Sequence, residues 1–323
     1  MSTTLIKLAN EINNARKIAI FTHKSPDLDA IGSSLSLYYA CKDLGKEVDI
    51  YLKDDITEHY IDLIIENPIK KEFIDKKYDI MISTDTSSPN LLGDFKDIFL
   101  NAKKKIVIDH HASDLLQGDF TYRQSKYSSC SEICYNIIKT LKVNFSPKIA
   151  SLIFIGLTGD TNSFINTNTT ANSFYVAYKC IKAGADITRI NDLEYKSKTK
   201  KIIDLEKYLL NNYKIENGIS YCLITHKKLN ELGAIKEDCD FYSSKLLTIK
   251  EAKISFSLIE QYPDYYSLSM RGKLGYNVKE IATKFGGGGH ISASGAKIVT
   301  NNAIKLKNDI IKECKIQCEK NEN

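Results

Sequence analysis

The chain has 323 residues, more than one average core holds, so two domains are the default. Its 43% hydrophobic and 26% charged residues are those of an ordinary globular protein, and no window reaches the roughly 18 uninterrupted apolar residues of a membrane span. A formal charge of +5 permits polyanionic substrates without demanding nucleic acid as a partner.

Residues 17–22 read as a first strand, ending at His23, with Asp27 and Asp29 in the turn that follows. A helix is expected over 29–44, carried by Ile31, Leu35, Tyr38 and Tyr39 and stopped at Gly45. Strands follow at 48–52, 78–83 and 105–108, with a helix at 58–66 after the first. Asp85 ends the 78–83 strand, and Asp109-His110-His111 ends the 105–108 strand. Ser129-x-x-Glu132 reads as a capping box opening a helix to about 141. Pro147 opens another, with Asp160 just after it, and a third runs over 170–183 to a stop at Gly184. Strands alternating with helices of this length imply an α/β fold with a mostly parallel, doubly wound sheet.

The texture changes after about residue 193. Residues 196–213 fit a linker helix. Strands at 219–224, 253–258 and 265–270 and helices at 239–247 and 278–285 imply a smaller mixed α/β domain. The domains are therefore expected at 1–195 and 214–323, with the tail after Ile311 a helix fraying into disorder. Eight cysteines show no disulfide framework. The spaced pairs Cys130/Cys134 and Cys314/Cys318 read as reduced cysteines packing as small apolar residues, with a zinc role as the alternative. No signal peptide is read at the N-terminus, so a cytoplasmic location is expected.

In a parallel sheet, the carboxyl ends of the strands line one crevice, where residues distant in sequence can converge. Asp27, Asp29, Asp85 and Asp160 gathered there would repel one another unless cations neutralise them. Two divalent ions balance four carboxylates. A mixed His/Asp shell without cysteine favours Mn²⁺ or Mg²⁺, with Fe²⁺ or Co²⁺ also compatible. Two ions about 3.5–4 Å apart are a known device for phosphoester hydrolysis. Taken singly, Asp29 could cap a helix, Asp85 make a turn, His23 sit satisfied at a strand end and Asp109 be a loop carboxylate. Their shared address at one sheet edge favours a common site. In the second domain, Gly286-Gly287-Gly288-Gly289-His290 could cradle an anion or act as a hinge. Arg271, at a strand end, could clamp a phosphate or be a surface arginine.

His23-x3-Asp27-x-Asp29, Asp85, Asp109-His110-His111 and Asp160 resemble, in order, the four motifs of the DHH phosphoesterase superfamily. Gly286–Gly289 and His290, with Ala293 and Gly295, are similar to the signature of the accompanying DHHA1 domain. The architecture resembles the stand-alone bacterial nanoRNase and pAp-phosphatase type of oligoribonuclease, with its active site in the cleft between the domains. The resemblance implies that His23, Asp27 and Asp85 hold one metal. Asp29, Asp85, His110 and Asp160 would hold the other. His111 would touch the scissile phosphate, and Asp109 would orient the histidines. Arg271 and Gly287, Gly288, Gly289 and His290 would hold another phosphate or the terminal nucleotide. One departure is Asn162, where the family often has glycine after Asp-Thr; asparagine tolerates the left-handed backbone such a turn needs.

The activity so implied is two-metal hydrolysis, by a metal-bridging hydroxide, of nanoRNA, linear RNA or DNA dinucleotides, or pAp, to 5′-mononucleotides. Cyclic di-AMP phosphodiesterase is the main rival. A silent nucleotide sensor would need a missing ligand, and none is missing. The pyrophosphatase branch has a different C-terminal domain, and RecJ-like members carry additional modules. An RNA-binding module like that of alanyl-tRNA synthetases would leave the first half unexplained. No membrane partner is expected, and an edge strand could pair two copies.

Overall fold

The computed structural model describes residues 3–54, 56, 68–112 and 115–320. They divide into two compact units, Met1–Ser197 and Lys198–Asn323. In the first, helix α1 (Thr3–Asn14) precedes strand β1 (Lys17–Phe21), helix α2 (Leu28–Asp43) and strand β2 (Glu47–Tyr51). Strands β3 (Ile69–Lys70) and β4 (Ile80–Thr84) lead through a 3₁₀ segment (Pro89–Phe95) to helix α3 (Lys96–Leu100) and strand β5 (Lys105–Asp109). Strand β6 (Phe120–Arg123) is followed by helices α4 (Cys130–Thr140), α5 (Pro147–Thr161), α6 (Ala171–Lys182) and α7 (Ile187–Lys196).

The six strands form one parallel sheet in the order β3-β2-β1-β4-β5-β6. Both faces are covered, which is why the strands read as nearly continuous apolar runs. Ile18, Ile20, Ile50, Ile82, Ile106 and Ile108 pack into a core with residues of α1, α2, α4, α5 and α6. Ala19, Phe21, Tyr51 and Val107 pack on the opposite side with Leu92, Phe95 and Phe99.

Two glycines set how closely α2 and α5 approach. A Cβ on Gly32 would overlap Leu152 O and lie 2.8 Å from Gly156 N. One on Gly156 would overlap Ser131 Oγ and lie 2.7 Å from Asp29 Oδ1. Bare backbone at both positions draws α2, α4 and α5 together around Asp29.

Several expectations change. The expected helix over 58–66 lies outside the described residues. Helices α1 and α7 and strands β3 and β6 were not anticipated. Ser129 Oγ does accept from Glu132 N (3.2 Å), but the Glu132 carboxylate turns to Ser128 Oγ (2.7 Å) and Asn172 Nδ2 (3.0 Å) rather than completing the capping box.

In the second unit, helix α8 (Lys200–Asn212) is followed by β7 (Lys214–Glu216), β8 (Ile219–Ile224), helix α9 (His226–Glu231) and helix α10 (Tyr242–Leu247). Then come β9 (Ile254–Tyr262), β10 (Tyr265–Gly272), helix α11 (Val278–Lys284), β11 (Gly288–Gly289), β12 (Ala293–Val299) and helix α12 (Ala303–Lys320). The sheet runs β11-β12-β10-β9-β8-β7 and is mixed, with β8 and β9 parallel and the other pairs antiparallel. Leu205 and Leu209 of α8 pack with Cys222, Ile224 and Tyr242 of this unit.

The helix expected in the tail is α12, and it continues to Lys320 rather than fraying after Ile311. Ile310, Ile311, Cys314 and Cys318 are buried along it, so the cysteines complete an apolar stripe that the lysines and glutamates masked. All eight cysteines are buried and none is in a disulfide, and no candidate metal group among the described residues includes one. No helix of the described residues is long and apolar enough to cross a membrane.

Candidate metal centre

Strand order reverses between β1 and β4, because β1 leads outward to β2 and β3 while β4 leads the other way to β5 and β6. Such a switch point opens a crevice at the carboxyl ends of the strands. His23 lies two residues beyond β1, Asp85 directly after β4, Asp109 at the end of β5 and His110 and His111 just beyond. Asp27 and Asp29 begin α2, and Asp160 lies in the last turn of α5.

All eight come together. His23 Nε2 lies 3.7 Å from Asp27 Oδ1 and 3.6 Å from Asp85 Oδ2. His110 Nε2 lies 3.0 Å from Asp160 Oδ2, 3.5 Å from Asp85 Oδ1 and 3.9 Å from Asp29 Oδ2. His111 Nδ1 is 2.8 Å from Asp109 Oδ1 and 3.6 Å from Asp85 Oδ1. Three overlapping groups could hold a divalent cation: His23-Asp27-Asp85, Asp29-His110-Asp160 and Asp85-His110-His111.

Asp85 belongs to two of the three groups, as does His110. Asp85 Oδ1 is buried without a hydrogen-bond partner, an expensive arrangement for a carboxylate in a folded protein. Its backbone is left-handed, at φ 53°, while its N–H is tied to Ile108 O at 2.9 Å. Strain of this kind concentrates at functional sites.

Asp27 and Asp29 each have a second task. Asp27 Oδ1 caps α2, accepting from Asp29 N (3.0 Å) and Ala30 N (2.9 Å). Asp29 accepts from Cys130 N (2.6 Å) and Ser131 N (2.9 Å), so it sits on the positive N-terminus of α4. The capping reading of Asp29 is thus correct for a helix other than its own, and the carboxylate still reaches the cluster.

The electrostatics follow from the crowding. Burial opposes charge on His23, but Asp27 and Asp85 outweigh it and push its pKa up to about 11. Burial likewise opposes charge on His110, while Asp160, Asp29 and Asp85 push it up to about 10. Burial and the neighbouring charges of Asp85 and Asp160 hold Asp29 well above the ordinary carboxylate range. Burial also raises Asp160, against the pull of His110. Protons therefore do in the free protein what divalent cations would do in their place.

Arg123 was not anticipated. Burial would raise Asp109, but His111 and Arg123 hold it below the usual range. Arg123 faces Asp109 in the β5–β6 register; its Nε donates to Asp109 Oδ2 at 3.0 Å and its Nη2 to Leu116 O at 2.6 Å. Recognising 120–123 as a strand would have placed Arg123 there. Asn162 is left-handed as expected (φ 46°), and the left-handed path continues through Ser163 and Phe164 (φ 54° and 69°). Asn166 and Asn168 side-chain amides donate to Asp160 O at 3.0 and 3.2 Å.

In the second unit, Arg271 pairs in register with Ala293, and its Nη1 donates to Met270 O at 3.0 Å. The glycine run forms a small hairpin rather than an open loop. Gly288 and Gly289 pair with Gly295 and Ser294, and His290 N donates to Ala293 O at 2.8 Å across the turn. A Cβ on Gly287 would overlap Gly295 O, so close strand packing requires that glycine. Arg271 and His290 thus both border Ala293.

A family model described as DHH family, N-terminal domain, matches residues 17–157, and one described as DHHA1 domain matches residues 219–316. The chain is 30% identical over 315 residues to the bifunctional oligoribonuclease and PAP phosphatase NrnA of Mycoplasma genitalium, covering 96% of each chain. It is 26% identical over 302 residues to the protein of that name from Mycoplasma pneumoniae, covering 92% of this chain and 90% of the other. Among solved structures, an exopolyphosphatase-related protein from Bacteroides fragilis has the same fold, with a TM-score of 0.90, 24% identity and 97% of both chains covered.

Proposed function

The chain belongs to the DHH family, with a DHHA1 domain following, and we propose that it is a two-metal phosphodiesterase that cleaves very short nucleotides to 5′-mononucleotides. The observation that carries this reading is Asp85, whose Oδ2 faces the His23 side of the cluster and whose buried Oδ1, without a hydrogen-bond partner, faces His110 and His111. One carboxylate aimed at two groups of donors suits a bridge between two cations.

The donor set fits such ions. Asp27, Asp29, Asp85 and Asp160 carry four negative charges, and the imidazoles of His23 and His110 supply borderline nitrogen donors, which suits Mn²⁺ above Mg²⁺. When bound, the cations lower the pKa of water to give a nucleophile near neutral pH and offset charge on the phosphoryl oxygens.

The remaining work belongs to side chains. Asp109 engages His111 Nδ1, which leaves Nε2 to meet the phosphate and give a proton to the departing oxygen. Arg123 keeps Asp109 charged and fixed for that purpose. Arg271 and the Gly287–His290 turn hold the substrate's other phosphate or terminal nucleotide.

The substrate class is supported by the relatives, which are named as oligoribonucleases and PAP phosphatases. The test is a turnover panel in Mn²⁺ with pAp, linear di- to pentanucleotides, cyclic di-AMP and inorganic pyrophosphate. Fastest release of 5′-mononucleotides from linear dinucleotides or of phosphate from pAp is expected. Preference for cyclic di-AMP or pyrophosphate would overturn the reading.

A further inference from the structure

A second cluster on the first unit takes no part in the metal centre. A cavity of about 360 Å³ opens between the C-terminal half of α4, the turn that follows it and the last turns of α6. Its aromatic lining is Tyr135, Phe145 and Tyr175. Tyr135 is buried, and Phe145 meets its ring edge-on with centroids 5.3 Å apart. Tyr175 is 43% exposed, so part of its ring is open to solvent beside the cavity.

The charge around those rings is of one sign. Lys139, Lys142, Lys179 and Lys182 line the cavity, and no acidic residue does. Lys179 Nζ stands 5.2 Å from the Tyr175 ring centroid and 5.5 Å from that of Tyr178. Lysines at helix ends often do no more than offset the macrodipole. Here α4 and α6 both end at the cavity, and two C-termini contribute only about −1 together. Against four lysines that leaves roughly +3. Among the described residues, no carboxylate is ion-paired with any of the four.

We propose that this cavity binds the phosphate–base unit of a single-stranded oligonucleotide, with a base on Tyr175 and its phosphates among the lysines. Aromatic faces combined with a positive groove are the chemistry of sequence-tolerant single-strand binding. A volume of about 360 Å³ lies within the range of small-ligand sites. The other candidate occupant, a second copy of this chain, would present the same four lysines to themselves across a twofold axis, and like charges disfavour that pairing.

The cavity and the metal centre share helix α4. Asp29 holds the N-terminus of α4 at Cys130 and Ser131, and the cavity begins at Tyr135 of the same helix. At about 1.5 Å per residue, that is roughly 8 Å along the helix to Tyr135 and about 14 Å to Lys139. A dinucleotide at the metal centre would leave the cavity empty, whereas a longer strand has nucleotides to place in it. The site thus discriminates by length, and it is separable from the chemistry.

Fluorescence anisotropy of the full chain in Mn²⁺, with a labelled, cleavage-resistant phosphorothioate RNA of five nucleotides, tests the assignment. The Lys142→Ala/Lys182→Ala variant is expected to bind more weakly and to reduce the slope of log K against log salt by about 1.4, or 0.7 per lost phosphate contact. Tyr175→Ala is expected to weaken binding about tenfold and Tyr175→Phe to restore it. Hydrolysis of a dinucleotide should be unchanged in all three, which keeps the outcome separate from the proposed catalytic activity. Unchanged pentanucleotide affinity and salt slope would overturn the proposal. So would an altered mass by light scattering with RNA binding intact, which would assign the cavity to a second copy.

Discussion

Replacing Gly156 by alanine tests whether the metal centre depends on the closeness of three helices. In an ordinary helix interior this change stabilises by about 1 kcal/mol, because alanine is the better helix former. Here the new methyl would overlap Ser131 Oγ, lie 2.8 Å from Ser131 Cβ and lie 2.7 Å from Asp29 Oδ1. Both neighbours are fully buried, so neither can swing away. Overpacking of this kind costs about 1–3 kcal/mol, and a methyl against a buried carboxylate belongs at the upper end. The net expectation is a loss of about 2 kcal/mol, which for a unit of this size lowers Tm by about 4–8 °C. Asp29 must shift, so Mn²⁺ affinity by calorimetry should fall as well. Adding Ser131→Ala removes the Oγ overlap and should recover part of both losses. A Gly156→Ala protein that melts at or above the parent temperature with unchanged Mn²⁺ affinity would refute the packing argument.

Asp85→Ala should abolish dinucleotide turnover and leave no more than one Mn²⁺ bound per chain; parent-like turnover would end the bridging assignment. Arg123→Ala should lower kcat about 10- to 100-fold with little change in KM, with Arg123→Lys less affected, since Arg123 acts on His111 through Asp109; an unchanged kcat would remove its positioning role. Asp49 supplies a pH test away from the metal centre. Burial would raise its carboxyl, but Lys70 (2.5 Å), Lys76 (2.8 Å) and Tyr78 (2.6 Å) pull it down to about 2. A folded pKa below the unfolded value of about 3.9 gives stability that is present above pH 4 and lost as pH falls toward 2. Asp49→Asn should therefore melt well below the parent at pH 6 and converge with it near pH 2.5; a constant gap would contradict this.

The centre of the first sheet was legible because β1, β2, β4 and β5 are short apolar runs buried on both faces. Strands β3, β6, β7 and β11 carry two to four residues each, too few for any periodicity to register. The fraying expected after Ile311 does not occur before Lys320, because Cys314 and Cys318 carry the buried stripe of the helix through a segment dominated by lysine, glutamate and asparagine. Helix α7 went unseen because Ile190 is its only buried residue. In the cluster, the gathering of His23, Asp85 and His110 could be anticipated from strand-end positions, and Asp160 from its place at the end of a helix. Arg123 could not, since its relevance depends on the β5–β6 register. Nor could the hold of Asp29 on α4, which links residues 101 and 102 positions apart.

That hold bears on how an inactive form of the protein should be made. Asp27 anchors the first turn of α2, and Asp29 anchors the first turn of α4. Substituting either would unseat a helix along with any cation, and a dead enzyme so obtained would say little about which loss was responsible. The Asp160 carboxylate is differently placed: among the described residues, its ion-pair partner is His110, and the neighbouring amides bind its backbone oxygen instead. Asp160→Asn, nearly isosteric, is the substitution that leaves the scaffold fastened while disarming the centre, and it is the natural form in which to trap a bound substrate.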